Sequence, residues 1–306
     1  AGAAVGAAAA AAAAAGKGKG KGAGAEADES SALFAGEYDA ASEDTFANKN
    51  TRGAVLATTQ LVAAALDDVA TGAARVGFCC VRPPGHHAGW DGRTAAAPSQ
   101  GFCFFNAAAT CAKRAVDAHG LPRVCVLDID VHHGNGTEEI LASDPRCLFL
   151  SLHAHGPLQP LQPTPPPAPP RADGTPATPV DPPGGGGAFY PGTGGASVNS
   201  TTRNAPLPLR FTAAELWRQW DGLARAIADF RPALLILSSG FDAHVDDPNE
   251  GGALSTADFG ELTRRLSELA WSIPACRGRV LSILEGGYNL EALRASVRVH
   301  LDELLL

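Results

Sequence analysis

The sequence contains no methionine, even at its first position, and only five lysines, three of which alternate with glycine at residues 16–22. The missing initiator indicates a fragment or a processed form, so a targeting signal is not expected in this chain. No uninterrupted apolar run reaches the roughly 18 residues of a membrane span. The alanine tract at 7–15 also lacks the basic region of a secretion signal. We therefore expect no membrane partner.

Basic charge is scarce as well, because the formal net charge is −8 and the isoelectric point is about 5.6. This balance argues against direct nucleic-acid binding and suits a cationic substrate better. The cysteines lack the paired spacing of a zinc knuckle, and most fall in apolar runs, which predicts buried, reduced thiols in an intracellular protein. They are Cys79, Cys80, Cys103, Cys111, Cys125, Cys147 and Cys276.

Two low-complexity stretches divide the chain. Residues 1–32 are mostly alanine, glycine and lysine and are predicted to be a disordered tail. A stretch rich in proline and glycine, at about 157–187, is predicted to be an insertion within one domain that covers 33–306.

In the remainder, apolar runs alternate with segments of helical periodicity, which predicts a single α/β domain with a parallel sheet and helices on both faces. The predicted strands are Val76–Val81, Val124–Val131, Cys147–Leu152, Ala233–Ser238 and Val280–Leu284. Helices are predicted at 53–70, at 104–118, from Thr212 to Phe230, from Ser255 and from Asn289.

Polar, glycine-rich residues follow each of four strands, and the carboxyl ends of parallel strands gather at one edge of a sheet. The most informative of these segments is Asp128-Ile-Asp-Val-His-His-Gly-Asn-Gly136. Asp130 and His132, with Asp242 at a matching strand end, form a three-ligand set that leaves a fourth position for water, as in catalytic zinc sites. The alternative for Asp242 is that it caps its own turn.

Two adjacent histidines, His86 and His87, follow a rigid Pro-Pro-Gly segment and suit acid–base work near neutral pH. Asp128 and Asn135 are their expected acceptors, and the two imidazoles should differ in basicity because only Asp128 carries charge. Tyr288, after two glycines, could donate its phenol hydroxyl to an oxyanion.

An apolar channel is also expected, walled by Phe102 beside Gly101 and by Tyr190, although core packing is the commoner role of a single aromatic.

Five motifs together resemble the zinc-dependent histone deacetylases, most closely the class II branch. They are Arg82-Pro-Pro-Gly-His-His-Ala88, Gly101–Asn106, Leu127–Thr137, Ser239–His244 and Leu284–Asn289. The resemblance covers roughly 40–156 and 188–304. It implies the arginase–deacetylase fold and hydrolysis of N-acetyl-lysine on histone tails or other proteins, in the nucleus, the cytoplasm or an organelle.

The resemblance also implies roles for individual residues. Asp130, His132 and Asp242 would hold Zn²⁺, and His87 would be the general base and acid. His86, backed by Asp128, would be its electrostatic partner, and Tyr288 would polarise the acetyl carbonyl. A structural K⁺ would lie near Asp128, Asp130, His132 and Ser151.

Some features depart from the family. Nothing before Leu33 resembles the family's opening segment, so its first strand is expected to be missing. Asn249 stands where polyamine-specific relatives carry an acidic residue, and Glu250 follows it. An acetylpolyamine deacetylase, an arginase-like two-metal hydrolase and a catalytically impaired zinc-binding scaffold therefore remain alternatives.

Overall fold

The computed structural model describes residues 39–40, 42, 44–157 and 188–306. The tail expected at 1–32 lies outside the described residues. The insertion expected at 157–187 lies outside them as well, apart from Pro157. Both expectations stay predictions.

The described residues form ten strands and six helices. The strands are β1 (Asp39–Ala40), β2 (Phe46–Ala47), β3 (Val76–Cys79), β4 (Ala88–Gly89), β5 (Gly92–Arg93), β6 (Val124–Asp128), β7 (Cys147–Ala154), β8 (Thr202–Leu207), β9 (Leu234–Ser239) and β10 (Val280–Leu284). The helices are α1 (Thr51–Thr71), α2 (Ala107–Asp117), α3 (Asn135–Leu141), α4 (Ala213–Phe230), α5 (Thr256–Ser272) and α6 (Leu290–Leu304).

Six strands form one parallel sheet in the order β3-β10-β9-β6-β7-β8. Successive side chains of a strand point to opposite faces. On β6, Val124 and Val126 accordingly join the cluster formed with α1, α2 and α3, whereas Cys125 and Leu127 join the cluster formed with α4, α5 and α6. The predicted α/β fold with helices on both faces is confirmed.

Six elements were not predicted from the sequence, namely the short helix α3, the edge strand β8 and the two-residue strands β1, β2, β4 and β5. Strand β6 also ends at Asp128, three residues earlier than predicted. Beyond that point the backbone N–H groups of Asp130 and Val131 donate to the carboxylates of Asp128 and Asp242 instead of to a neighbouring strand. Side chains of the predicted site thus replace the sheet ladder where the strand ends.

Helix α1 bears on the expectation that the chain has no membrane span. Its 21 residues are long and apolar enough to cross a membrane, with a mean hydropathy of 1.2 in the most apolar window. In the structure it packs on α2 and β3 through its buried residues Val62, Leu66 and Val69. Helices in the core of a protein can be equally long and apolar, so α1 is weak evidence for a membrane span.

The start of α5 offers a test of local stability. Ser255 and Asp258 form a capping box, in which the N–H of Ser255 donates to Oδ2 of Asp258 at 2.8 Å. We expect Ser255→Ala to lower the free energy of unfolding by about 1 kcal/mol in a denaturant titration. Ser272→Ala, at the other end of the same helix, should change it by less than about 0.5 kcal/mol. Equal effects of the two substitutions would contradict the capping role.

Candidate active site and metal centre

Three ligand atoms converge beyond the ends of β6 and β9. One atom each from Asp130, His132 and Asp242 lies within 4.8 Å of the other two. Nδ1 of His132 is 2.9 Å from Oδ1 of Asp130 and 3.1 Å from Oδ2 of Asp242. The structure therefore brings together the three residues that the sequence analysis selected as metal ligands.

The bonding of this cluster fits a cation. A single N–H on Nδ1 of His132 cannot satisfy two carboxylates, and Oδ2 of Asp242 is buried without a hydrogen-bond partner. Burial and the charge of Asp130 raise the pKa of Asp242 to about 6. Buried carboxylates must be paired or must coordinate a metal, and this oxygen–nitrogen–oxygen donor set suits zinc.

The two carboxylates accept backbone N–H groups from two segments, one after β6 and one after β10. The other oxygen of Asp242 accepts the N–H of Val131 at 2.9 Å, a contact to a different segment and not a cap on its own turn. Asp130 accepts the N–H of His132 on Oδ1 and that of Gly286 on Oδ2, both at 2.9 Å. The ligand positions are thus fixed by the ends of β6, β9 and β10 before any metal binds.

His86 lies beside this cluster, with its Nδ1 2.9 Å from Oδ2 of Asp128 and its Nε2 3.7 Å from Oδ1 of Asp130. Burial lowers the pKa of His86, but the charges of Asp128 and Asp130 outweigh that effect and raise it well above the ordinary value. His86 therefore has carboxylate oxygens beside both of its ring nitrogens.

His87 contacts a neutral acceptor, whereas His86 contacts a carboxylate. Its Nδ1 lies 2.6 Å from Oδ1 of Asn135, whose amide N–H donates to Oγ1 of Thr94 and so turns the amide oxygen toward the ring. Burial, together with the charges of His86 and His132, holds the pKa of His87 well below its ordinary value. With Nδ1 donating to Asn135, Nε2 is left as a free base.

Tyr288 follows β10 and is fixed through its backbone. Its N–H donates at 2.8 Å to Oδ2 of Asp247, a buried residue whose other oxygen accepts the N–H of Asn249. Burial and the charges of Asp242 and Asp130 raise the pKa of the phenol, which stays protonated and able to donate.

Aromatic rings lie against His87, His132 and Tyr288. The ring of Phe102, which is 43% exposed, meets that of Tyr288 at 6.0 Å. The ring of Tyr190 lies 4.9 Å from that of His87, and its hydroxyl donates to the carbonyl of Ser99. Phe189, which the sequence analysis did not select, stacks on His132 at 5.1 Å with an interplanar angle of 1°.

Gly101 fits between two of these groups. Its φ is +54°, and a Cβ there would stand 2.4 Å from Cδ2 of His87 and 2.8 Å from the hydroxyl of Tyr190. Gly101→Ala should therefore displace the His87 ring and lower the kcat/KM of any reaction that uses His87 by about 100-fold. Gly120→Ala is the matched control, since Gly120 has a φ of +64° but open space around it. Similar losses in both variants would attribute the effect to backbone strain alone.

Several buried contacts around the site were missed because they join residues that are far apart in the sequence. Asp247 supports Tyr288, and Glu285 accepts the N–H of Gly85. His133, for which the sequence offered no role, places Nδ1 2.8 Å from Oγ1 of Thr193 and packs against His153. Only the long-range fold brings these pairs together.

Comparisons with known proteins agree with this geometry. A family model described as the histone deacetylase domain matches residues 9–166 and 184–304. The match begins at residue 9, ahead of Leu33, and so reaches into the stretch where the sequence analysis found no resemblance. The crystal structure of the HDA15 HD domain superposes with a TM-score of 0.70 and 32% identity, covering 91% of this chain and 69% of that one.

Among curated proteins, Type-2 histone deacetylase 2 of Dictyostelium discoideum is 35% identical over 275 residues, which are 86% of this chain and 14% of that protein. The polyamine deacetylase HDAC10 of Homo sapiens is 37% identical over 243 residues, which are 78% of this chain and 31% of that protein. The chain thus spans less than a third of the length of either curated relative.

Proposed function

The chain belongs to the histone deacetylase family, and we propose that it hydrolyses N-acetyl-lysine side chains of proteins, histone tails among them, in a zinc-dependent reaction that releases acetate. The observation that carries this proposal is the Asp130–His132–Asp242 cluster flanked by two differently supported histidines. One cluster of three ligating residues was found among the described residues, which favours a single-metal site over the two-metal alternative.

Zn²⁺ would be held by Asp130, His132 and Asp242, where it would polarise the acetyl carbonyl and acidify a water molecule. The chain's own groups would handle the protons. Nε2 of His87, left bare by the bond from Nδ1 to Asn135, would accept the proton of the attacking water and later pass a proton to the leaving amine. His86, paired with Asp128, would supply positive charge beside the developing oxyanion.

Tyr288 would donate its hydroxyl to the acetyl oxygen as negative charge develops there. Phe102 and Tyr190, with Gly101 between Tyr190 and His87, would enclose the lysine methylenes and exclude water. A K⁺ ion near Asp128, Asp130, His132 and Ser151 is proposed as a structural element. Asp128 and Ser151 are cross-strand neighbours on β6 and β7, which supports that placement.

A protein substrate is favoured over a polyamine by the residues that follow Asp247. Asn249 is uncharged, and the exposed carboxylate of Glu250 forms an ion pair with Arg210, which weakens its attraction for a second ammonium group. The similarity to the human polyamine deacetylase keeps acetylpolyamines as the second candidate. An intracellular compartment is proposed because all seven cysteines are free thiols, six of them buried.

The test compares turnover of an acetyl-lysine peptide with that of acetylspermidine by the zinc-loaded protein. We expect kcat/KM for the peptide to exceed that for acetylspermidine by about tenfold or more. The reason is that leaving the second ammonium group of acetylspermidine without a partner costs about 1.4 kcal/mol or more. The reverse ratio would favour the polyamine reaction, and no turnover of either would leave the scaffold alternative.

A further inference from the structure

Glu285 is a buried carboxylate at the end of β10 that the proposed reaction does not use. It is 1% exposed, and its Oε2 accepts the backbone N–H of Gly85 at 2.7 Å and that of His86 at 3.2 Å. Its Oε1 lies 3.2 Å from the hydroxyl of Ser238 at the end of β9. A carboxylate in this position joins two strand ends to the segment that carries both histidines.

The peptide groups on either side of His86 are held from opposite directions. Glu285 receives the N–H of His86, while the carbonyl oxygen of His86 accepts the N–H groups of Gly136 and Thr137 at 3.0 and 3.1 Å. The position of His86, and through it that of His87, is therefore set between β10 and the start of α3.

The segment has little freedom to settle elsewhere. A Cβ on Gly85 would stand 2.5 Å from the carbonyl oxygen of Phe105, so the backbone lies directly against the segment before α2. Arg82, at the start of the same segment, donates to the backbone oxygen of Glu285 at 2.7 Å. Removing the Glu285 side chain would leave that link intact and would free the amides of Gly85 and His86, together with the hydroxyl of Ser238.

We infer that Glu285 is a positioning residue for the histidine pair, because its carboxylate fixes the Gly85–His86 backbone and thereby the placement of the rings of His86 and His87. Only the expected effect of Glu285 on the reaction rate rests on the proposed function. Misplacing a catalytic group by about 1 Å can cost on the order of 100-fold in rate. Burial raises the pKa of the carboxyl to about 7, so glutamine, a neutral side chain of the same shape, is the conservative replacement.

Amide hydrogen exchange of the zinc-loaded protein tests the contact directly, in a peptide covering residues 82–88. Glu285→Ala should accelerate exchange of the Gly85 and His86 amides by about tenfold or more. Glu285→Gln keeps one acceptor oxygen and should restore most of the protection. The matched control is Ser282→Ala, on β10, the strand that Glu285 follows. It removes a buried hydroxyl that is hydrogen-bonded to Ser239 and His300 and does not contact His86 or His87.

In kinetic assays with an acetylated peptide, Glu285→Ala should lower kcat on the order of 10- to 100-fold and change KM by less than about threefold. Glu285→Gln should regain most of kcat, and Ser282→Ala should lower the unfolding temperature without lowering kcat. Unchanged exchange in Glu285→Ala, or an equal loss of kcat in Ser282→Ala, overturns the inference. An inactive wild-type protein would contradict the proposed function instead, and the exchange experiment would still decide the role of Glu285.

Discussion

Replacing Asp242 with alanine is expected to abolish stoichiometric zinc binding and to lower deacetylase activity by about 1000-fold or more, which corresponds to about 4 kcal/mol of transition-state stabilisation. Asp242 supplies one of only three ligand atoms in the cluster, and Oδ2 is the atom left without a hydrogen-bond partner. The loss should appear in the metal content of the purified protein, measured by elemental analysis, and in the rate of acetate release.

The variant must remain folded for that result to be informative, because Oδ1 of Asp242 also holds the N–H of Val131. Far-UV circular dichroism would check this. Asp246→Ala provides the matched control, since that side chain is 68% exposed and lies outside the cluster. It should retain one zinc per chain and full activity. An Asp242→Ala protein that keeps its zinc and its activity would remove Asp242 from the metal site.

Tyr288→Phe is expected to lower kcat by about 100- to 1000-fold, the usual cost of losing one oxyanion donor, with a small change in KM. The substitution removes only the hydroxyl. The ring can keep its edge contact with Phe102, and the backbone bond to Asp247 is unaffected. The kinetic constants would be measured with the same acetylated peptide as for the wild-type protein.

Zinc content separates this effect from that of Asp242. The Tyr288→Phe protein should bind one zinc per chain and melt within a few degrees of the wild type, because no ligand is lost. Unchanged kcat with intact zinc would show that another group polarises the acetyl oxygen.

The parallel sheet and the convergence of polar residues at one of its edges could be predicted because parallel strands place their carboxyl ends together. The run Val124–Leu127 has the apolar character of a buried central strand, and Asp128, Asp130 and His132 follow it. Asn289 and Ser255 likewise begin helices that the structure contains, since cap residues act on neighbours within three positions. Such signals are local and can be read in order along the chain.

The remaining features depend on contacts between distant residues. The bond from Val131 to Asp242 spans 111 positions, and the bond from Gly85 to Glu285 spans 200. Glu285 lies in the Leu284–Asn289 motif, but its local sequence does not show that its carboxylate contacts the amides of Gly85 and His86. Strand β8 was missed because Thr-Arg-Asn-Ala-Pro-Leu has weak alternation and a proline, which suits an edge strand only. Helix α3, of seven residues, is too short for periodicity to reveal it.

One metal ion held by Asp130, His132 and Asp242 is proposed to make this chain a deacetylase. This proposal can be tested by stripping the protein of metal with a chelator, then titrating Zn²⁺ back while acetate release from an acetyl-lysine peptide is followed. We predict that activity is lost on stripping and returns linearly, with a break at one zinc per chain. Full activity in the stripped protein, or a break at two metals per chain, would contradict the account.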